Sequence, residues 1–212
     1  MYLVKTPPII KSIFSDYVWS VDTLEKEVFI TFDDGPIPGL TPWVLDLLAE
    51  YNFKATFFCV GENVRRYPMI YKRILNEGHL AGNHTYHHLN GWLADTDTYL
   101  YDVQACHIMV QSPLFRPPYG KIKRSQSNVI RTDKTIVMWD VLSGDFDKSI
   151  SGEKCLSNVV DNYSRGSVIV FHDNVKAEDK LRFVLPKFFD HLVTNNFTAS
   201  NLKCLTESYE LA

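Results

Sequence analysis

The chain alternates between two spacings of apolar residues. Residues 28–32 read Val-Phe-Ile-Thr-Phe, then meet Asp33 and Asp34 and stop at Gly35-Pro36. A run of β-branched and aromatic residues of this length predicts a buried strand, and a Gly-Pro pair ends it. Helical spacing follows: Trp43, Val44, Leu47 and Leu48 recur after Thr41-Pro42, which reads as an N-cap with proline at the first helical position. The same alternation continues to the end of the chain. Strands are predicted at 54–60, in a short piece from His79 into Asn83-His84, and at 114–115, 135–141, 167–171 and 197–202. Helices are predicted over 68–77, with Gly78 as its C-cap, and over 95–110, 123–131, 153–163 and 179–195. Residues 1–22 carry Pro7-Pro8 without clear periodicity and read as an arm laid over a domain formed by residues 23–212.

Strands alternating with amphipathic helices argue for an α/β fold with parallel strands and crossover helices, either an open sheet or a small, incomplete barrel. No Gly-rich phosphate loop opens a helix after the first strand, which weakens a nucleotide-binding reading. Asp33-Asp34, Arg116, Asp145 and His172 all fall just past the C-terminal end of a predicted strand. That is the face on which barrels and open α/β sheets assemble their chemistry.

Composition narrows the reading only a little. The 212 residues suffice for one well-buried domain, and 45% hydrophobic with 22% charged residues is ordinary for a folded chain. A net charge of -3 gives no support for nucleic acid or an anionic membrane as partner. Cys59, Cys106, Cys155 and Cys204 are widely spaced and read as free thiols. The first residues lack the basic start and continuous apolar core of a signal peptide, and no run is long enough to span a bilayer. The expectation is a cytoplasmic monomer, or an extracytoplasmic protein if a leader has been removed.

The chemistry concentrates in four places. Two adjacent carboxylates at a strand end need a cation, a proton or an arginine to offset their repulsion. His84 and His88, four apart, face the same way if they lie in a helical turn, and with one carboxylate they offer the donor set of zinc or a similar divalent ion. Such a pair is also common as plain surface or core decoration, and His87 competes as a ligand, whereas His79, His107 and His191 read as structural. Arg116 precedes Pro117-Pro118-Tyr119-Gly120, a stiff turn able to aim its remaining N–H groups at an oxyanion, or simply a strand-to-helix loop. His172 ends an apolar strand, where a neighbouring carboxylate, Asp145 being one candidate, would keep it protonated; alone it reads as structural.

Taken in order, these segments resemble the polysaccharide deacetylases, the NodB-type carbohydrate esterases. Thr31-Phe32-Asp33-Asp34-Gly35 resembles the first motif of that family, His84-Thr85-Tyr86-His87-His88 the second, Arg116-Pro117-Pro118-Tyr119-Gly120 the third and Val170-Phe171-His172 the fifth. The fourth motif departs: it keeps Asp145 but carries Leu142 for an earlier acid and Phe146 for a tryptophan that helps wall the acetyl pocket in relatives. Val170 replaces a leucine.

The resemblance implies a distorted or incomplete (β/α) barrel of about seven parallel strands. It also implies a divalent metal, zinc foremost with cobalt or another ion as substitute, held by Asp34, His84 and His88. Asp33 becomes the general base, oriented by Arg116. The Tyr119 N–H stabilises an oxyanion, and His172 protonates the leaving amine with Asp145 tuning it or pairing with Arg116. Tyr119, Phe146, Val170 and Pro117 would contact a carbohydrate substrate. The implied reaction is removal of N-acetyl groups from an amino-sugar polymer or oligomer; the alternatives are hydrolysis of a small non-sugar amide or cyclic imide, or a catalytically weak sugar-binding relative.

Overall fold

The computed structural model describes residues 2–206; the outermost residues of the expected arm and domain, 1 and 207–212, lie outside it. A short helix, α1 (Pro8–Ile13), precedes the opening strand β1 (Glu27–Asp33), which is followed by α2 (Leu40–Glu50), β2 (Thr56–Cys59), α3 (Gly61–Arg66), α4 (Pro68–Asn76) and β3 (Leu80–Asn83). Then come α5 (Thr96–Met109), β4 (Leu114–Phe115), α6 (Arg124–Ile130), β5 (Thr135–Ile136), β6 (Val141–Leu142), α7 (Gly152–Val160), β7 (Val168–His172), α8 (Glu178–Thr194) and β8 (Thr198–Ser200).

The strands lie in the order β5-β4-β3-β2-β1-β7-β6, with β8 beside the start of β1, and their ladders are parallel. This is the expected incomplete α/β barrel. Its outer strands β5 and β6 are joined through the N-terminal residues: Lys5 bridges Val141, Val18 bridges Val137 and Ser20 bridges Ser167. The buried Asp140 carboxylate holds this segment in place, receiving Lys5 Nζ at 2.6 Å, Lys11 Nζ at 2.5 Å and Ser167 Oγ at 2.5 Å.

Period-two alternation sorts the strand residues. Outward-facing Val28, Ile30 and Phe32 of β1 and Ile169 and Phe171 of β7 pack with Leu181, Val184, Leu185 and Phe188 of α8 in the main core. Inward-facing Phe29 and Val168 join Phe58, Leu114 and Val137 in a second cluster. The next residues along the inner faces, Thr31 and Asp33 on β1 and Val170 and His172 on β7, therefore rise from the barrel interior toward its C-terminal rim.

The structure corrects several local expectations. Residues 135–141 are two strands rather than one: the carbonyls of Val137 and Met138 accept from Arg116, the N–H of Met138 donates to Val18 and that of Asp140 to Val168, so the ladder changes partners mid-run. Thr41 lies inside α2, whose cap is Gly39. Its hydroxyl accepts from the Ile37 N–H and donates to Asp173. The short helices α1 and α3 carried no sequence signal that the spacing rules recognise, and β8 is shorter than 197–202.

Candidate active site

Asp33 is the last residue of β1, and its side chain follows Phe29 and Thr31 on the inner face. Arg116, immediately after β4, is fully buried with its guanidinium 4.1 Å over the Phe58 ring. Each nitrogen of its planar fork is engaged: Nη1 donates to Asp33 Oδ1 at 2.7 Å and to Thr31 Oγ1 at 2.7 Å, Nε to the Val137 carbonyl at 3.1 Å and Nη2 to the Met138 carbonyl at 2.8 Å. Of the two partners left open for Asp145, His172 or Arg116, the side chain meets His172, and Arg116 pairs with Asp33.

Asp34 leaves the strand at φ 83, which turns its carboxylate away from that of its neighbour. Asn174 Nδ2 donates to its Oδ2 at 2.6 Å, while its Oδ1 is buried and receives no hydrogen bond. The Nε2 atoms of His84 and His88 lie 3.5 and 2.9 Å from that oxygen. Each imidazole has its other nitrogen engaged. His84 Nδ1 donates to the Arg116 carbonyl at 2.7 Å, which fixes the tautomer and leaves Nε2 unprotonated in the neutral ring; His88 Nδ1 meets the Tyr119 hydroxyl at 3.2 Å. An orphaned buried carboxylate oxygen facing two imidazole nitrogens, all within 4.8 Å of one another, fits a divalent cation. Burial alone would raise the Asp34 carboxyl, but in the absence of an ion the imidazoles of His84 and His88, when they carry a proton, hold it well below its usual range.

The histidine pair does not sit in a helical turn. Residues 84–88 form a loop with Thr85 at φ 62 and His88 at φ 56. A β-branched residue in that region is strained and persists only where its surroundings over-determine it. Here Asn83 Oδ1 accepts from the Thr85 N–H, Thr85 Oγ1 accepts from the Leu89 N–H, and the Thr85 carbonyl accepts from the Gly61 N–H. Asp102 of α5 accepts from the N–H groups of Tyr86 and His87 at 2.9 Å and binds His87 Nδ1 at 2.6 Å. His87 is thereby drawn away from the ligand group it was expected to compete for. His79 is buried and accepts from the Ala55 N–H, and burial pushes its pKa down to about 4, as suits a structural residue.

Across the cleft, Asp145 Oδ1 lies 2.8 Å from His172 Nδ1 and its Oδ2 accepts the His172 N–H at 2.7 Å. Burial disfavours the imidazolium, yet the Asp145 charge outweighs it and the His172 pKa is pushed up to about 9. Tyr119 sits in a turn at φ 61, its ring exposed and 4.6 Å from that of His88. Beneath the site lies Asp173, which sequence reasoning missed along with Asn174 and Asp102. It accepts from the Gly35 N–H at 3.0 Å and from Thr41, and burial pushes its pKa up to about 8. Glycine is required at 35, because a Cβ there would meet Asp173 Oδ2 at 1.9 Å.

Asp33, Asp34, His84, His88, Tyr119, His172 and Asn174 line one cleft of about 730 Å³ together with Tyr2, Trp139, Leu142, Phe146 and Val170, whereas Arg116 and Asp145 act on it only through Asp33 and His172. Pro117 does not line it. That residue is buried, and its carbonyl caps the turn by accepting from the Gly120 N–H at 2.9 Å.

Residues 20–134 match the family model described as polysaccharide deacetylase. The chain belongs to the polysaccharide deacetylase family. It is 40% identical over 163 residues to a peptidoglycan-N-acetylglucosamine deacetylase of Bacillus cereus, an alignment covering 74% of this chain and 59% of that relative. A chitooligosaccharide deacetylase of Azorhizobium caulinodans is 33% identical over 165 residues, covering 73% of this chain and 77% of the relative. Among solved structures, a peptidoglycan N-acetylglucosamine deacetylase in complex with 4-naphthalen-1-yl-N-oxidanyl-benzamide superposes with a TM-score of 0.84 at 34% identity, covering 92% of this chain and 95% of that one. Asp145 and His172 lie beyond the residues matched by the family model, and their pairing is what the geometry adds.

Proposed function

We propose that this polysaccharide deacetylase family member is a metal-dependent hydrolase that removes N-acetyl groups from an amino-sugar polymer or oligomer of the peptidoglycan or chitooligosaccharide type, releasing acetate. The observation that carries the reading is the meeting in one cleft of three groups: the unpaired Asp34 oxygen with two imidazoles, the Arg116-held Asp33, and the Asp145-held His172.

Asp34, His84 and His88 would hold the ion, zinc foremost, which when bound polarises the amide carbonyl and acidifies water. The chain's own residues handle the protons. Arg116 engages Oδ1 of Asp33, leaving Oδ2 to take a proton from the attacking water as its oxygen bonds to the carbonyl carbon. The turn at Tyr119 offers its N–H to the oxygen that gains charge. His172, with Nδ1 committed to Asp145, gives a proton from Nε2 to the amide nitrogen as the carbon–nitrogen bond breaks.

Acetate release should vanish on chelation and return with zinc or cobalt when assayed on chitooligosaccharides and peptidoglycan fragments; release indifferent to chelator would overturn the reading. Cyclic imides belong in the same panel, since turnover of those alone would assign the site to small amides. The compartment follows from the same result. Cell-wall fragments would place the substrate outside the cytoplasm, and soluble oligosaccharides fit the cytoplasmic expectation. No helix among the described residues is long and apolar enough to cross a membrane.

Asp145→Asn tests the proton donor. The Asp145 charge raises the His172 pKa and burial lowers it, so removing the charge leaves burial in control and His172 loses its proton at lower pH. The basic limb of the rate profile should move down from the region of pH 9, with a loss of about tenfold or more at pH 8. A limb that stays in place would remove His172 from the acid role.

A further inference from the structure

Among the described residues of the N-terminal segment, Tyr2 is the one that lines the cleft. Its ring lies 5.2 Å from that of Phe146, tilted by 58°, and Phe146 stands edge-on 5.1 Å from His172. Phe146 therefore stands between the His172 and Tyr2 rings, in contact with both. The Tyr2 hydroxyl donates to Asp147 Oδ2 at 3.0 Å. The turn beneath it needs glycine, since at Gly144, φ 77, a Cβ would come within 2.5 Å of that hydroxyl. Behind Tyr2 the segment is pinned to β6: the Leu142 N–H donates to the Val4 carbonyl at 2.8 Å and the Thr6 N–H to the Asp140 carbonyl at 2.9 Å, while Lys5 and Lys11 close on Asp140. Tyr2 is thus fixed at its hydroxyl and through the backbone that follows.

Leu142, Phe146, Val170 and the Tyr2 ring are among the apolar residues that line the cleft, and of these Phe146 lies against His172 and Tyr2 against Phe146. An acyl chain is the apolar end of an N-acylated sugar. With the acyl group seated against Phe146 and Val170, a methyl would end there and a longer chain would extend toward the Tyr2 ring. We propose that Tyr2 is a specificity-determining residue that sets the upper size of the acyl group by closing the outer end of this wall. The proposal rests on the deacylation reading above. It also gives the N-terminal segment a part in the site, since a phenylalanine at 146 presents less surface than an indole and Tyr2 adjoins it.

The test compares kcat/KM on N-acetyl and N-butyryl chitotriose for the wild type, Tyr2→Ala and Tyr2→Phe. Tyr2→Ala should raise the butyryl-to-acetyl ratio about tenfold or more, the range in which apolar pockets discriminate methylenes, with the acetyl value changing less than about threefold. Tyr2→Phe, which keeps the ring and loses the hydroxyl, should retain the wild-type ratio. A ratio unchanged in Tyr2→Ala, or moved as far in Tyr2→Phe, would overturn the proposal. If the wild type released neither acyl group, the deacylation reading would fall instead, and calorimetric affinities of the same two trimers for these variants in an Asp33→Asn background would decide the wall: the affinity ratio must shift in Tyr2→Ala, and an unshifted ratio overturns it.

Discussion

Asparagine at position 33 should cut acetate release by about a thousandfold while leaving fold and metal content unchanged. The amide oxygen of asparagine can accept the bond that Arg116 Nη1 now gives to Asp33 Oδ1 at 2.7 Å, so the hydrogen bond survives and the fold is kept, although the buried guanidinium loses its counter-charge and the protein some stability. What is lost is an oxygen able to take a proton from water. Asp34→Asn is the matched control. Its side chain has turned out of the strand at φ 83, and its unpaired Oδ1 faces the Nε2 atoms of His84 and His88. Weakening that donor should lower metal content itself, measured by atomic absorption after dialysis, together with activity. Two adjacent carboxylates thus give two distinguishable phenotypes, metal retained without turnover and metal lost. An Asp33→Asn protein that kept more than about a tenth of wild-type turnover would remove Asp33 from the base role.

The site was legible in the sequence to the extent that strand periodicity fixed it. Once residues 28–32 and 167–171 are read as strands, Asp33 and His172 stand just past their ends, where continued alternation puts them on the inner face, and the position after residues 114–115 puts Arg116 on the same rim. The ordered motifs then supplied the roles. Legibility ended where backbone conformation departs from regular periods. The histidine pair was expected to converge through helical spacing; it converges through a loop with two left-handed residues, held by Asn83 and Asp102. Asp102 had a readable signal, because it falls in the buried stripe of α5 with Tyr99, Val103 and Cys106, where an unpaired acid is costly. Tyr2 had none, since its approach to Phe146 depends on bridges that a linear pattern does not encode. The expected single strand at 135–141 failed for a related reason, its hydrogen bonds being diverted to Arg116 and to the N-terminal segment.

Arg116→Met should destabilise the protein by about 3–5 kcal/mol, the usual cost of breaking a buried ion pair from one side. For a chain of this size that corresponds to a melting temperature lower by roughly 10 °C. Methionine fills much of the volume over Phe58, so the loss comes from what is left behind: the Asp33 carboxylate, 4% exposed, without its cation, and the carbonyls of Val137 and Met138 without donors. Arg116→Lys should fall between, since an ammonium keeps the charge but cannot span two carbonyls, a hydroxyl and a carboxylate at once. The decisive comparison is the double variant Asp33→Asn with Arg116→Met. Neutralising the acid removes the uncompensated charge, so the double variant should recover part of the stability lost in Arg116→Met, giving a coupling energy of at least about 1 kcal/mol in a double-mutant cycle. Strict additivity of the two losses in urea unfolding would mean that Arg116 supports the sheet through its carbonyl bonds alone. The charge that Asp33 needs at the strand end would then have to come from elsewhere in the cleft.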